Sequence, residues 1–173
     1  MLEEQNIYLG LGSNIGDRYQ NLKNGINLLN NHPHIWVTVK SHVYQSPPMY
    51  NIEQDDYYNM VIEIQTNLTP LDLLKELKKI ETKAGRIKEN KRHRARILDI
   101  DILAFGDLQI HSDLLEIPHP RISERKFVLK PWNDIAPQFS IPNYSYNINE
   151  LLENSKDASD VRMVLIFDKE GII

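Results

Sequence analysis

Apolar residues fall at two spacings along this 173-residue chain, and the order of the spacings predicts its elements. Ile7-Tyr8-Leu9-Gly10-Leu11-Gly12 reads as a short strand running into Ser13-Asn14-Ile15-Gly16-Asp17. Asp17 then suits the N-cap of a helix over 18–31, with Leu22, Ile26 and Leu29 on one face. His32-Pro33-His34 ends it, and its two histidines are expected to be solvated turn residues. Residues 35–44 are β-branched and aromatic, which predicts one strand, stopped by the stiff Ser46-Pro47-Pro48-Met49-Tyr50 turn. Residues 57–66 alternate: Tyr58, Met60, Ile62 and Ile64 form an apolar face, while Tyr57, Asn59, Glu63 and Gln65, with Val61, point away from the core. Thr69-Pro70 opens a second helix in which Leu73, Leu77, Ile80 and Ala84 recur at helical spacing up to a stop at Gly85. A long charged loop over 86–95, expected to be mobile, precedes an apolar strand containing Asp99 and Asp101. Gly106-Asp107 is then expected to make a hairpin turn into Leu108-Gln109-Ile110.

Strand, helix, strand, strand, helix, strand is the order of the α+β ferredoxin-like class, a βαββαβ core whose antiparallel sheet is backed by helices. No repeat or linker divides the chain, so one domain over 1–173 is expected, with the residues from Leu115 onward as C-terminal additions to that core. Pro131 should limit any helix after Phe127. A short helix is expected around Asn149-Glu150-Leu151-Leu152, and a last strand over 161–167.

The charged residues change this picture at one place. Asp99 and Asp101 project from the same side of their strand, about 6–7 Å apart along the backbone, while Leu98, Ile100 and Ile102 take the core side. Two adjacent carboxylates repel. Either Arg96 and its basic neighbours neutralise them as a salt-bridge cluster, or the pair holds a hard divalent cation such as Mg²⁺ together with substrate phosphates. Arg86, Lys88, Lys91, Arg92, Arg94 and Arg96 upstream suit a polyphosphate. The glycines at 10, 12 and 16 match neither the dinucleotide fingerprint nor the Walker loop; they serve a tight turn or the close approach of a ligand. Tyr57 and Asn59, two residues apart, can stack on and hydrogen-bond a flat heterocycle, or can be ordinary surface.

Overall charge argues against a general nucleic-acid binder: 20 basic and 24 acidic residues leave a net −4. The absence of cysteine excludes disulfides and thiolate metal sites. No apolar run approaches membrane-spanning length and the N-terminus lacks a signal peptide's pattern, so a cytoplasmic protein without a membrane partner is expected.

The ordered set Gly10-Leu11-Gly12-Ser13-Asn14, Tyr44-Gln45-Ser46-Pro47-Pro48, Tyr57-Tyr58-Asn59, Arg96-Ile97-Leu98-Asp99-Ile100-Asp101-Ile102, Pro118-His119-Pro120-Arg121 and Arg125-Lys126-Phe127-Val128-Leu129 resembles the 6-hydroxymethyl-7,8-dihydropterin pyrophosphokinases. The resemblance implies a ferredoxin-like fold and transfer of pyrophosphate from ATP to the pterin hydroxymethyl group, with release of AMP and use of two Mg²⁺ ions, in folate biosynthesis. It implies Asp99 and Asp101 as metal ligands, and Tyr57 and Phe127 as the two faces of a pterin sandwich whose edge Asn59 recognises. Gly12, Ser46, Pro48 and Met49 would line the same pocket. Arg86, Arg96, His119 and Arg125 would contact ATP phosphates, with Lys78, Glu81, Lys88, Ile102 and Leu115 around the nucleotide. A monomer or weak dimer is expected.

Three positions depart from that family pattern. His93-Arg94-Ala95 stands where the family usually has Trp-Gly-Pro in a lid loop over the pterin. Lys88 replaces a common second arginine and cannot make a bidentate phosphate contact, and Lys78 replaces a frequent glutamine. The rival from another class is a non-catalytic ligand- or RNA-binding module on the same fold, but RNA-recognition sheets display aromatics where this strand displays two aspartates.

Overall fold

The computed structural model describes residues 5–49, 53–85 and 95–165. Among the described residues the elements follow in this order: β1 (Ile7–Ser13), α1 (Arg18–Asn30), β2 (Ile35–Lys40), β3 (Val43–Ser46), β4 (Tyr57–Thr66), α2 (Pro70–Lys83), β5 (Asp99–Phe105), β6 (Ile110–His111), β7 (Glu116–Ile117), a 3₁₀ turn (Ile122–Glu124), α3 (Lys126–Ile135), α4 (Ile148–Glu153) and β8 (Arg162–Leu165). The caps act as the sequence predicts. Asp17 accepts from the Gln20 amide at 3.0 Å, Thr69 accepts from the Asp72 amide ahead of Pro70, and Gly85 leaves α2 at φ +102°.

Six strands form the main antiparallel sheet in the order β5-β1-β4-β3-β8, with β2 also paired to β4. The expected single strand over 35–44 is therefore two. β2 lies along 62–66 of β4 and β3 along 57–59, and Ser41 joins them. Its amide donates to the Val61 carbonyl and its hydroxyl accepts from the Val61 amide, both at 2.9 Å. A side-chain oxygen thus replaces a ladder carbonyl, so the run can break without orphaning β4. The expected hairpin at Gly106-Asp107 is also different: the chain turns there, but β6 pairs with β7 in a separate two-stranded sheet.

Both faces of the sheet are buried. On one, Leu9, Leu11, Met60, Ile62, Ile64 and Ile100 pack under Leu22, Ile26 and Leu29 of α1 and Leu73, Leu77 and Ile80 of α2. On the other, Tyr8, Val61, Leu103 and Ala104 meet Val128, Leu129 and Trp132 of α3 and Ile148 and Leu151 of α4. Most of the residues after Leu115 thus build a second core, while Ile117, Val164 and Leu165 pack on the first, and the Val61 side of β4 is no solvent face. Alternation alone could not reveal this, because polar residues share that face with Tyr8 and Val61. Pro131 does not stop α3, which runs four residues further; the fully buried Trp132 and Leu129 hold the turn that lacks one backbone bond. His32 is likewise not a free turn residue, since its Nε2 lies 3.3 Å from Glu76 of α2. The last strand covers Arg162–Leu165, and residues 166 and 167 lie outside the described residues.

Candidate active site

The second face is not covered everywhere. Its opening is set by two glycines on the central strand β1. Gly10 stands between Val61 of β4 and Asp101 of β5, and Gly12 between Asn59 and Asp99. With no side chains at these two positions, a floor opens between a β4 wall and a β5 wall. A Cβ at Gly12 would sit 3.1 Å from Asn59 Oδ1 and 3.6 Å from the Tyr57 ring, and one at Gly10 would sit 3.4 Å from Leu103. The result is a cleft of about 290 Å³ that the N-terminal part of α3 borders with Phe127 and Val128.

The structure brings together ten of the residues expected at the site: Gly12, Ser46, Met49, Tyr57, Asn59, Arg96, Asp99, Asp101, Arg125 and Phe127 all line this cleft. Pro47 lines it in place of Pro48. Leu115 and Ile102 belong to the core under α1 and α2, and Glu81 is 1% exposed beneath the sheet. Lys78 holds Glu81 at 3.0 Å. His119 stands behind Arg125, 3.4 Å from its guanidinium. Arg86 and Lys88, with His93 and Arg94 of the His93-Arg94-Ala95 departure, lie outside the described residues.

At the β4 end the groups are neutral and flat. The buried Asn59 donates to Ser46 Oγ at 2.8 Å, which leaves its Oδ1 on the Gly12 side. Tyr57 and Phe127 supply rings, and Gln54 adds an amide that the sequence did not single out. At the β5 end the groups are charged. Arg96 pairs with Asp99 at 2.7 Å, so the salt-bridge alternative is realised for one of the two carboxylates. For Asp101, burial and then the charge of Asp99 push the pKa up to about 6 despite the cations Lys78 and Arg125. Glu81 accepts the Ile100 amide at 2.8 Å and so fixes the strand between the two aspartates from below.

Among the described residues, the guanidiniums of Arg96, Arg121 and Arg125 border the same end. Arg121 belongs to the Pro118-His119-Pro120-Arg121 motif, from which the sequence assigns it no role. His119 contributes no charge at neutral pH, because burial and the neighbouring Arg125 and Arg121 push its pKa down to about 4. Its ring nitrogens face the Arg121 amide and the Arg125 guanidinium, and a neutral imidazole accepts at one of them at a time. The two ends are tied by Asn14, which is 1% exposed. Its Oδ1 accepts the Arg96 amide at 2.6 Å, its own amide donates to the Arg96 carbonyl at 3.0 Å, and its Nδ2 donates to Gln54 Oε1 at 3.0 Å. Nothing in the hydropathy pattern marks Asn14 or Gln54, since both act through tertiary hydrogen bonds.

Comparison with known proteins adds a family likeness to this geometry. Residues 8–137 match the family described as 7,8-dihydro-6-hydroxymethylpterin-pyrophosphokinase (HPPK). The 2-amino-4-hydroxy-6-hydroxymethyldihydropteridine pyrophosphokinase of Bacillus subtilis is 41% identical over 131 residues, covering 76% of this chain and 78% of that protein. The folic acid synthesis protein FOL1 of Dictyostelium discoideum is 41% identical over 158 residues, 91% of this chain but 24% of its own length. The chain therefore spans about a quarter of that longer relative. Among solved structures, the HPPK-DHPS of Plasmodium falciparum with pteroate superposes with a TM-score of 0.67 at 16% identity, over 87% of this chain and 44% of that one.

Proposed function

This chain belongs to the 7,8-dihydro-6-hydroxymethylpterin-pyrophosphokinase family, and from that premise we propose that it transfers pyrophosphate from ATP to the hydroxymethyl group of 6-hydroxymethyl-7,8-dihydropterin, releasing AMP, in folate biosynthesis. The observation that carries the reading is the division of one cleft by its glycine floor: rings and amides on the β4 side, carboxylates and guanidiniums on the β5 side. A heterocycle with a hydroxymethyl arm and a polyphosphate are the two shapes such a cleft accommodates end to end. Tyr57 and Phe127 cover the pterin faces, and Asn59, held by Ser46, reads its edge beside Gly12 and Met49. Arg96 and Arg125 take phosphate oxygens, joined by Arg121, while His119 steadies Arg125. Glu81 acts through the Ile100 amide, and Lys78 through Glu81.

The donor set fits Mg²⁺. Asp99 and Asp101 are hard oxygen ligands on one strand face, and burial together with the charge of Asp99 raises the Asp101 pKa, a cost that a bound cation would offset. Among the described residues no third histidine or carboxylate completes the group, so two ions here would draw their other ligands from phosphates and water. When bound, Mg²⁺ neutralises the phosphates and makes the attacking hydroxyl more acidic. This chain's own contribution is to orient the hydroxymethyl oxygen in line with the β-phosphorus and to surround developing charge with fixed guanidiniums.

The sheet order supports a ferredoxin-like arrangement: with β2 and β3 counted as one broken strand, β5-β1-β4-β2/β3 is the order of a split βαβ pair. No described helix is long and apolar enough to cross a membrane; the proposal further takes the chain as a cytoplasmic enzyme that acts as a monomer or weak dimer. Incubating the chain with ATP and Mg²⁺, with and without hydroxymethyl-dihydropterin, tests the activity. AMP is expected only with the pterin present. ADP as the product, or AMP at the same rate without pterin, would contradict it.

A further inference from the structure

The segment that follows α4 does something the family match does not cover, since that match ends at residue 137. Helix α3 carries Phe127 into the cleft at its second residue, yet the helix has no cap of its own. Arg125, at its N-cap position, makes no side-chain cap bond, and no acidic residue stands in its first turn. The Arg125 carbonyl takes the Val128 and Leu129 amides, but the Lys126 amide at the very start and the positive end of the dipole get no compensation from the helix itself.

The missing group comes from thirty-one residues further along the chain. Asp157 Oδ2 accepts the Lys126 amide at 2.9 Å. Its other oxygen accepts the Ser159 amide at 2.9 Å, so one carboxylate ties the strap between α4 and β8 to the first amide of α3. These bonds hold the Asp157 carboxyl below the usual carboxylate range, outweighing the burial that opposes them. Lys130 Nζ donates to the Val161 carbonyl at 2.6 Å and anchors the same strap one turn along the helix.

We infer that Asp157 is a positioning residue for the pterin end of the cleft: it caps α3 from a distance and thereby fixes where Phe127 stands. The effect is specific to that end. Arg125, one residue earlier, has its amide held separately by the Ile122 carbonyl at 3.1 Å, so losing Asp157 loosens the start of the helix without releasing the preceding turn. The inference rests on the reading of Phe127 as a wall of the pterin site.

The test is a set of separate titrations with hydroxymethyl-dihydropterin and with a non-hydrolysable ATP analogue, on the full chain and four variants. Asp157→Ala should weaken pterin binding about fivefold, the equivalent of one lost helix cap, and leave the ATP analogue within about twofold. Asp157→Asn, which keeps an acceptor for the Lys126 amide, should recover most of that loss. Lys130→Met loosens the strap at its other anchor and should change neither affinity, which separates capping from general destabilisation. Phe127→Ala is the reference for the site itself. If it weakens pterin binding and Asp157→Ala does not, or if Asp157→Ala weakens both ligands equally, the positioning role is overturned. If Phe127→Ala has no effect, the reading of the pterin site is what fails, and the inference falls with it.

Discussion

The cleft exists because two residues of β1 have no side chain. Gly12 adopts no backbone conformation that demands glycine; what it provides is room, because any Cβ there would meet Asn59 Oδ1 at 3.1 Å and the Tyr57 ring behind it. Gly12→Ala should therefore leave the fold intact, weaken pterin binding by about 1–3 kcal/mol through displacement of Asn59, and spare the ATP analogue. Isothermal titration with each ligand would show this, and equal losses for both would point to a distorted sheet. Asp101 makes the complementary case in charge. Its folded pKa, about 6, lies above the ordinary carboxylate value, so folding favours the protonated form. Its stabilising contribution is full below the ordinary carboxylate range and is lost as pH rises through about 6. Compared without metal, Asp101→Asn should be more stable than the parent chain at pH 7–8, and the gap should close towards about pH 4. Thermal melts across that range in a chelating buffer measure it, and a gap independent of pH would contradict the assignment of the shift to this group.

Elements were legible in the sequence where one physical signal acts alone. The helices α1 and α2 follow from spacing and caps, and β4 from the alternation of Tyr58, Met60, Ile62 and Ile64, because burial under the helices imposes those patterns even though Val61 adds an apolar residue on the other face. The β2–β3 region was not legible in the same way. Its β-branched content predicts strand throughout, but where a strand breaks depends on a partner 20 residues away. Ser41, buried at 1% exposure, makes the break tolerable by satisfying the Val61 amide with its hydroxyl. Ser41→Ala should cost about 1–3 kcal/mol, the penalty for a buried amide left without its acceptor. Urea unfolding would measure it, and a loss near zero would mean that the ladder closes without the hydroxyl. Helix α3 carries the same lesson, since Pro131 forbids a backbone bond but cannot forbid a helix held by the buried Trp132.

At the scale of the molecule, a sheet buried on both faces is what turns two scattered motifs into one site. The core under α1 and α2 places β1, β4 and β5 side by side, and the second core presses α3 onto the other face. The cleft is the stretch of that second face where glycines replace the side chains α3 would otherwise meet. From the sequence, the aspartate pair, the Tyr57–Asn59 pair and Phe127 were readable as candidates because each is locally unusual or carries the family resemblance. Gln54 was not, and Pro47 and Asn14 stand in the resembling motifs without a role, because what these residues do arises only from contacts across the sheet end. The second core was also hidden, as its partners lie beyond residue 120 and no local pattern joins them to β1. The central claim of the proposal is that Asp99 and Asp101, at the β5 end of this cleft, would hold the Mg²⁺ that offsets the charge of a transferring pyrophosphate. The most direct test is the rate of AMP release from ATP and hydroxymethyl-dihydropterin at saturating Mg²⁺, for the parent chain and Asp101→Ala, with circular dichroism to confirm that both are folded. AMP release by the folded variant should fall to background, and turnover within about tenfold of the parent chain, a barrier change of only about 1.4 kcal/mol, would contradict the claim.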